Sequence, residues 1–121
     1  MIWVNVLKKE MTCLEYLDSR GLIEQIIDDN DIVLLYFGSK SCGVCRDIKP
    51  KIEKILNRYS KIKGIYVDVE KSHNIAISYN IFTIPGILLF VEGKETIREA
   101  RHISMQDIDS KIYRYYSLLF E

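Results

Sequence analysis

Apolar residues follow two rhythms along the chain, sets spaced by three and four and continuous runs, and the two take turns. Leu22, Ile23, Ile26 and Ile27 recur at helical spacing after Ser19, a suitable helix cap, and the acidic stretch Asp28-Asp29-Asn30-Asp31 closes the segment. Ile32 to Phe37 is a continuous β-branched and aromatic run, too short for a helix and suited to a strand buried on both faces, with Gly38 ending it. From Cys42 onward Ile48, Ile52, Ile55, Leu56 and Tyr59 lie on one helical face, and Pro50 should bend that helix by deleting a hydrogen bond. Gly64 to Val69 reads as a strand, and Ser72 can cap a short helix reaching Tyr79. Gly86–Val91 and Thr96–Ala100 flank Glu92-Gly93-Lys94 as a hairpin. Ser104 with Asp107 resembles a capping box, and Met105, Ile108, Ile112, Tyr115 or Tyr116, and Leu119 trace the apolar face of a last helix.

From the first buried strand the order is β-α-β-α and then β-β-α, which implies an α/β chain with a mixed central sheet covered by helices on both faces. Residues 1–18 fit two patterns: Thr12-Cys13-Leu14-Glu15 could begin a helix, while Cys13 to Leu17 alternates like an edge strand. The expected layout is therefore an N-terminal extension or first edge strand over 1–18 and one domain over 19–121. A chain of 121 residues with 48% hydrophobic content can bury an ordinary core without staples, so its three cysteines are not scaffold.

Seventeen Lys and Arg balance seventeen Asp and Glu, which removes the attraction that nucleic acid or an anionic membrane surface needs. The longest apolar runs are far shorter than the roughly 20 residues that cross a bilayer. The lysines at the amino end follow the apolar residues, the reverse of a secretory leader. A monomer in a reducing cytoplasm is the expectation.

Chemistry is concentrated at Cys42-Gly43-Val44-Cys45, which follows a buried strand by a short loop and opens a helix. Unpaired N–H groups at a helix N-terminus favour a thiolate on Cys42, and Lys40, Arg46 and Lys49 are nearby cations. Cys45, one turn further in, is placed to attack a mixed disulfide on Cys42 and release the reduced partner. A single C-x-x-C is also half of a zinc site, but Cys13, His73 and His102 lack ligand spacing, and no metal is expected. An inert structural pair is the remaining alternative.

Tyr36 to Cys45, Pro50 five residues beyond the second cysteine, Val67-Asp68-Val69-Glu70, Ile75-Ala76, Tyr79-Asn80-Ile81, Thr83-Ile84-Pro85 and Leu88 to Lys94 together resemble the thioredoxin superfamily, in order, from about Ser19 to the C-terminus. The resemblance implies the thioredoxin fold, a cis Ile84–Pro85 peptide opposite the cysteines, and a main chain at Ile84 that pairs with an extended substrate segment. It implies Cys42 as nucleophile and Cys45 as resolving thiol, with Ser41, Gly43, Val44, Ile84 and Pro85 against the substrate. It also implies no bound cofactor, clients that are disulfide-containing proteins or small thiols, and a thioredoxin-reductase-like recycling enzyme or a small thiol as reductant. Four positions depart from the family pattern. Ser41 stands where a tryptophan is usual, Val44 where a proline is usual, and Tyr36 where a buried carboxylate helps deprotonate the resolving thiol, with Tyr66 in place of its lysine partner. A phenol is a poor base at neutral pH, so Glu70, water or another group takes that role or Cys45 is activated less well, and mixed disulfides should resolve slowly.

Other residues suit structural readings. Cys13 is expected to be a small buried side chain, His73 and His102 exposed or capping residues, and Tyr113, Tyr115, Tyr116 and Phe120 packing groups of the last helix. Asp68 and Glu70 are expected to polarise a strand end. The sequence points to a dithiol reductant of protein disulfides, with a protein-interaction module of the same fold as the alternative.

Overall fold

The computed structural model describes residues 14–120. Five strands and four helices alternate: β1 Leu14–Tyr16, α1 Arg20–Asp29, β2 Ile32–Gly38, α2 Gly43–Arg58, β3 Ile62–Asp68, α3 His73–Ser78, β4 Gly86–Val91, β5 Lys94–Ala100 and α4 Met105–Phe120. The sheet order is β1-β3-β2-β4-β5. β3 lies parallel to both β1 and β2, whereas β4 is antiparallel to β2 and β5. The edge-strand pattern is thus the one adopted at Leu14–Tyr16, while Cys13 lies outside the described residues.

β2 is buried over its whole length because the sheet is covered on both sides. Its even-numbered side chains, Ile32, Leu34 and Tyr36, enter a core with Cys45, Ile48, Ile52 and Ile55 of α2 and Ile108 and Ile112 of α4. The odd-numbered ones, Val33, Leu35 and Phe37, enter a second core with Ile23 and Ile27 of α1 and Ile75 and Ala76 of α3. Successive strand residues point to opposite faces, so one apolar run serves both layers.

Local chemistry accounts for most boundaries. Ser19 Oγ accepts the Leu22 N–H at 3.3 Å, and Ser104 Oγ accepts the Asp107 N–H at 3.2 Å. Ser72, expected to cap α3 through its side chain, makes no such bond. β3 begins two residues before the expected Gly64, since Ile62 and Lys63 pair with Ile32 and Val33. β5 begins at Lys94 because the hairpin turns in two residues: Glu92 and Gly93 have φ of 51° and 81°, a pair of left-handed residues that matches the twist of the strands. Pro50 sits inside α2, as expected.

The register gathers four loops at one end of the sheet. Phe37 pairs with Gly86, Gly86 with Ala100, and Gly38 with Asp68. The segments 39–42, 69–72, 81–85 and 101–104 therefore leave the same edge side by side. Among the described residues no helix is long and apolar enough to cross a membrane.

Candidate active site

Gly38 ends β2 and hands the chain to a short loop that places Cys42 as the N-cap of α2. Cys42 Sγ accepts the Cys45 N–H at 3.2 Å, the bond that a serine or aspartate oxygen makes in an ordinary cap. A first-turn N–H of α2 therefore points at sulfur rather than at a hydroxyl or carboxylate oxygen. Both cysteines are free thiols, Cys42 half-buried and Cys45 only 2% exposed. One sulfur is reachable by a substrate and the other waits behind it.

Burial pushes the Cys45 thiol up from its ordinary range, and the hydrogen bond between the two cysteines adds to this. A main-chain bond from Ser39 and the hydroxyl of Tyr36 act in the opposite direction. Tyr36 is itself buried and donates its O–H to the Cys45 carbonyl at 3.1 Å. Burial first, then the neighbouring Cys45, drives its phenol far above the usual tyrosine range, so it is a donor and never a base here. Tyr66 stacks against it with ring centroids 5.4 Å apart and is pushed up to about 12, chiefly by burial and then by Asp68.

Glu70 is placed elsewhere. Its Oε1 accepts from Ser41 Oγ, Ser41 lies 3.3 Å from Ser39 Oγ, and these hydroxyls hold the carboxyl below its usual range. The carboxylate thus braces the loop ahead of Cys42. Asp68 accepts the Glu70 N–H at 2.9 Å, so the expectation that both acids merely polarise a strand end holds only for Asp68. What does reach Cys45 is a cavity of about 130 Å³ lined by Tyr36, Ser39, Lys40, Arg46, Lys49 and Tyr66. Nothing in the local pattern of the sequence announces it, because its walls come from β2, β3 and α2.

The remaining candidates surround Cys42. Gly43 opens α2 with nothing within 4 Å of where a Cβ would stand, and Val44 is 54% exposed. Ile84 is half-buried, Pro85 is buried, and the bond between them is cis. Because Gly86 pairs with Phe37, that turn shares the sheet end with the cysteine loop. His73 and His102 are exposed, and among the described residues no group of three or more His, Cys, Asp or Glu could hold a metal ion. Tyr116 packs between Tyr59 and Phe120 at centroid distances of 5.0 and 4.8 Å, whereas Tyr113 is exposed.

The site thus joins a two-cysteine helix cap at the end of a central strand to a cis-proline turn. The family model Thioredoxin covers residues 15–114. The chain belongs to the thioredoxin family. It is 32% identical over 110 residues to the thioredoxin-like protein YdfQ of Bacillus subtilis, covering 91% of this chain and 96% of that protein. Thioredoxin H8 of Arabidopsis thaliana is 24% identical over 101 residues, covering 84% of this chain and 68% of that protein. Among solved structures, a thioredoxin mutant from Halobacterium salinarum superposes with a TM-score of 0.77 at 22% identity, covering 84% of this chain and 89% of that one. Oxidised mitochondrial thioredoxin 3 of Saccharomyces cerevisiae also superposes with a TM-score of 0.77, at 20% identity, covering 87% and 98%. These structural likenesses establish the fold. As a thioredoxin-family protein the chain is a thiol-disulfide oxidoreductase, a class that acts on disulfide-containing substrates and is recycled by a reductase.

Proposed function

We propose that this protein is a cytoplasmic dithiol reductant of protein disulfides, working as a monomer through Cys42 and Cys45. The observation that carries the reading is the asymmetry of the pair: Cys42 is half-exposed at a helix N-terminus with its sulfur accepting an N–H, and Cys45 is buried with its thiol held protonated. The Cys42 thiolate attacks one sulfur of a client disulfide, forming a mixed disulfide and expelling the other client sulfur as thiolate. Cys45 then loses its proton and attacks Cys42 Sγ, which forms the Cys42–Cys45 disulfide and releases the second client thiol. Two electrons pass to the client, and a thioredoxin-reductase-like enzyme or a small thiol returns them.

Proton removal from Cys45 is the demanding step, because no carboxylate occupies position 36. The 130 Å³ cavity is large enough for water and polar enough to hold it, and water there takes the proton. Ser41, Gly43, Val44, Ile84 and Pro85 form the contact surface around Cys42, with the main chain of Ile84 pairing to an extended client segment.

The test pairs two variants in a disulfide-reduction assay. Cys42→Ser should abolish turnover, and Cys45→Ser should accumulate a covalent mixed disulfide with client. A protein indifferent to both changes would be an interaction module rather than a reductant.

A further inference from the structure

The cavity beside Cys45 is walled by cations. Lys40, Arg46 and Lys49 line it, and no Asp or Glu does. Lys40, Lys49 and Tyr66 also line a second cavity of about 300 Å³ whose other walls include Tyr16, Asp68 and Lys71, so the two adjoin along those shared residues. Three tyrosine rings run in file beneath them, Tyr36 to Tyr66 at 5.4 Å and Tyr66 to Tyr16 at 6.1 Å. The Lys49 ammonium lies over the Tyr66 ring at 5.3 Å and that of Lys71 over the Tyr16 ring at 5.9 Å. All four cations are exposed, and none takes part in an ion pair among the described residues. The two acids nearby are otherwise engaged. Asp68 is 4% exposed and accepts the Glu70 N–H, and the Glu70 carboxylate accepts from Ser41. A chain of zero formal net charge thus holds an unbalanced positive cluster next to a thiol that must lose a proton, with no carboxylate on the cavity wall to take it.

We propose that the cavity beside Cys45 binds a small oxyanion, a phosphate or a carboxylate, through Lys40, Arg46 and Lys49, and that this anion takes the Cys45 proton when the mixed disulfide resolves. The role rests on the reductant reading above. The cavity of about 130 Å³ has room for an anion of a few atoms, and its cations hold that anion against the buried thiol. Hydrogen phosphate accepts the proton and becomes dihydrogen phosphate. The Cys45 sulfur then attacks Cys42 Sγ, the bond from Cys42 to the client breaks, and the client leaves as thiolate. The protonated anion exchanges with solvent and gives up its proton there. Water serves when no anion is bound, but a fixed oxyanion is a stronger base and is already in position, which is what general base catalysis requires.

The test follows single turnovers of the reduced protein with dithiodipyridine, a neutral disulfide whose successive thiopyridone releases report attack by Cys42 and then by Cys45. At fixed pH near neutral and fixed ionic strength, phosphate should accelerate the second release about fivefold along a saturating curve and leave the first unchanged. Acetate examines the carboxylate source in the same way. Sulfate, an oxyanion of the same shape and a far weaker base, should not accelerate release and should raise the half-saturating phosphate concentration by competition. Arg46→Met/Lys49→Met, at two exposed positions, should raise that concentration about tenfold. Indifference of the second release to both phosphate and acetate would overturn the proposal, as would a linear rise shared by wild type and variant, which is proton transfer to bulk buffer. Sulfate accelerating as much as phosphate would overturn it too, since charge alone would then be the cause. A first release with no second in any buffer would instead remove the resolving role of Cys45, and the reductant reading with it.

Discussion

A methyl group at position 38 would stand 2.7 Å from the Tyr36 hydroxyl and 3.3 Å from Cys45 Sγ, closer to the phenol than real carbon atoms come. Gly38→Ala should therefore destabilise the protein by about 1–3 kcal/mol in urea unfolding, since neither buried neighbour has room to retreat. A cost below measurement would mean that the Tyr36 ring is free to move. Tyr36→Phe removes the donor to the Cys45 carbonyl and should cost about 1 kcal/mol. The same hydroxyl helps the Cys45 thiolate, so its loss should also lengthen the lifetime of the mixed disulfide several-fold in single-turnover release. With the Cys45 thiol raised by burial, resolution in the wild type should speed up about tenfold per pH unit from pH 6 toward 9, as the thiolate fraction does. A flat profile would show that another step limits release. The two cysteines and the unusual Tyr36 were legible in the sequence from their order and spacing. That the phenol bonds the Cys45 main chain was not, because this depends on how α2 seats against β2.

Elements whose apolar residues meet one face were readable from the chain, and the less regular ones were not. β2 and α2 show their burial in a continuous run and in a spacing of three and four. β1 is three residues long and half-exposed, so its pattern suited two structures until β3 supplied a partner. The first residues of β5, Lys94 and Glu95, are polar, and an extra residue near Leu89 breaks the alternation, with Thr96 Oγ1 donating to the Leu89 carbonyl at 3.2 Å. Arg98 on β5 donates to the Tyr79 and Asn80 carbonyls at 2.8 and 3.2 Å and so ties the sheet edge to the segment leading into the cis turn. Arg98→Met should free that segment, costing about 1 kcal/mol and accelerating amide exchange at Ile81, whose N–H donates to the Ala76 carbonyl at 2.9 Å. Unchanged exchange there would assign Arg98 to solvent-side pairing with Glu95 alone.

For the molecule as a whole, the buried site ties stability to alkaline pH. Unfolding returns Cys45 to an ordinary thiol that titrates near pH 8.5, while the folded group holds its proton to higher pH. The contribution is complete below the unfolded value and disappears as pH rises through the folded one. The melting temperature of the reduced protein should fall above about pH 8.5, and Cys45→Ala should lose that part of the slope. Tyr66, held near 12 by burial, adds a second decline that starts near the ordinary tyrosine value of about 10. These effects share a cause with the chemistry: the fold buries one thiol and leaves the other half-exposed. The measurement that tests this most directly is the equilibrium of the pair with defined thiol-disulfide buffers, counting alkylatable thiols at Cys42 and Cys45 by mass spectrometry. A reversible two-electron transition nearer −270 mV than −120 mV, about the limits for known C-x-x-C reductants and oxidants, is the predicted result. Absence of a Cys42–Cys45 disulfide at every poise would contradict the catalytic account, and a transition near −120 mV would contradict its direction.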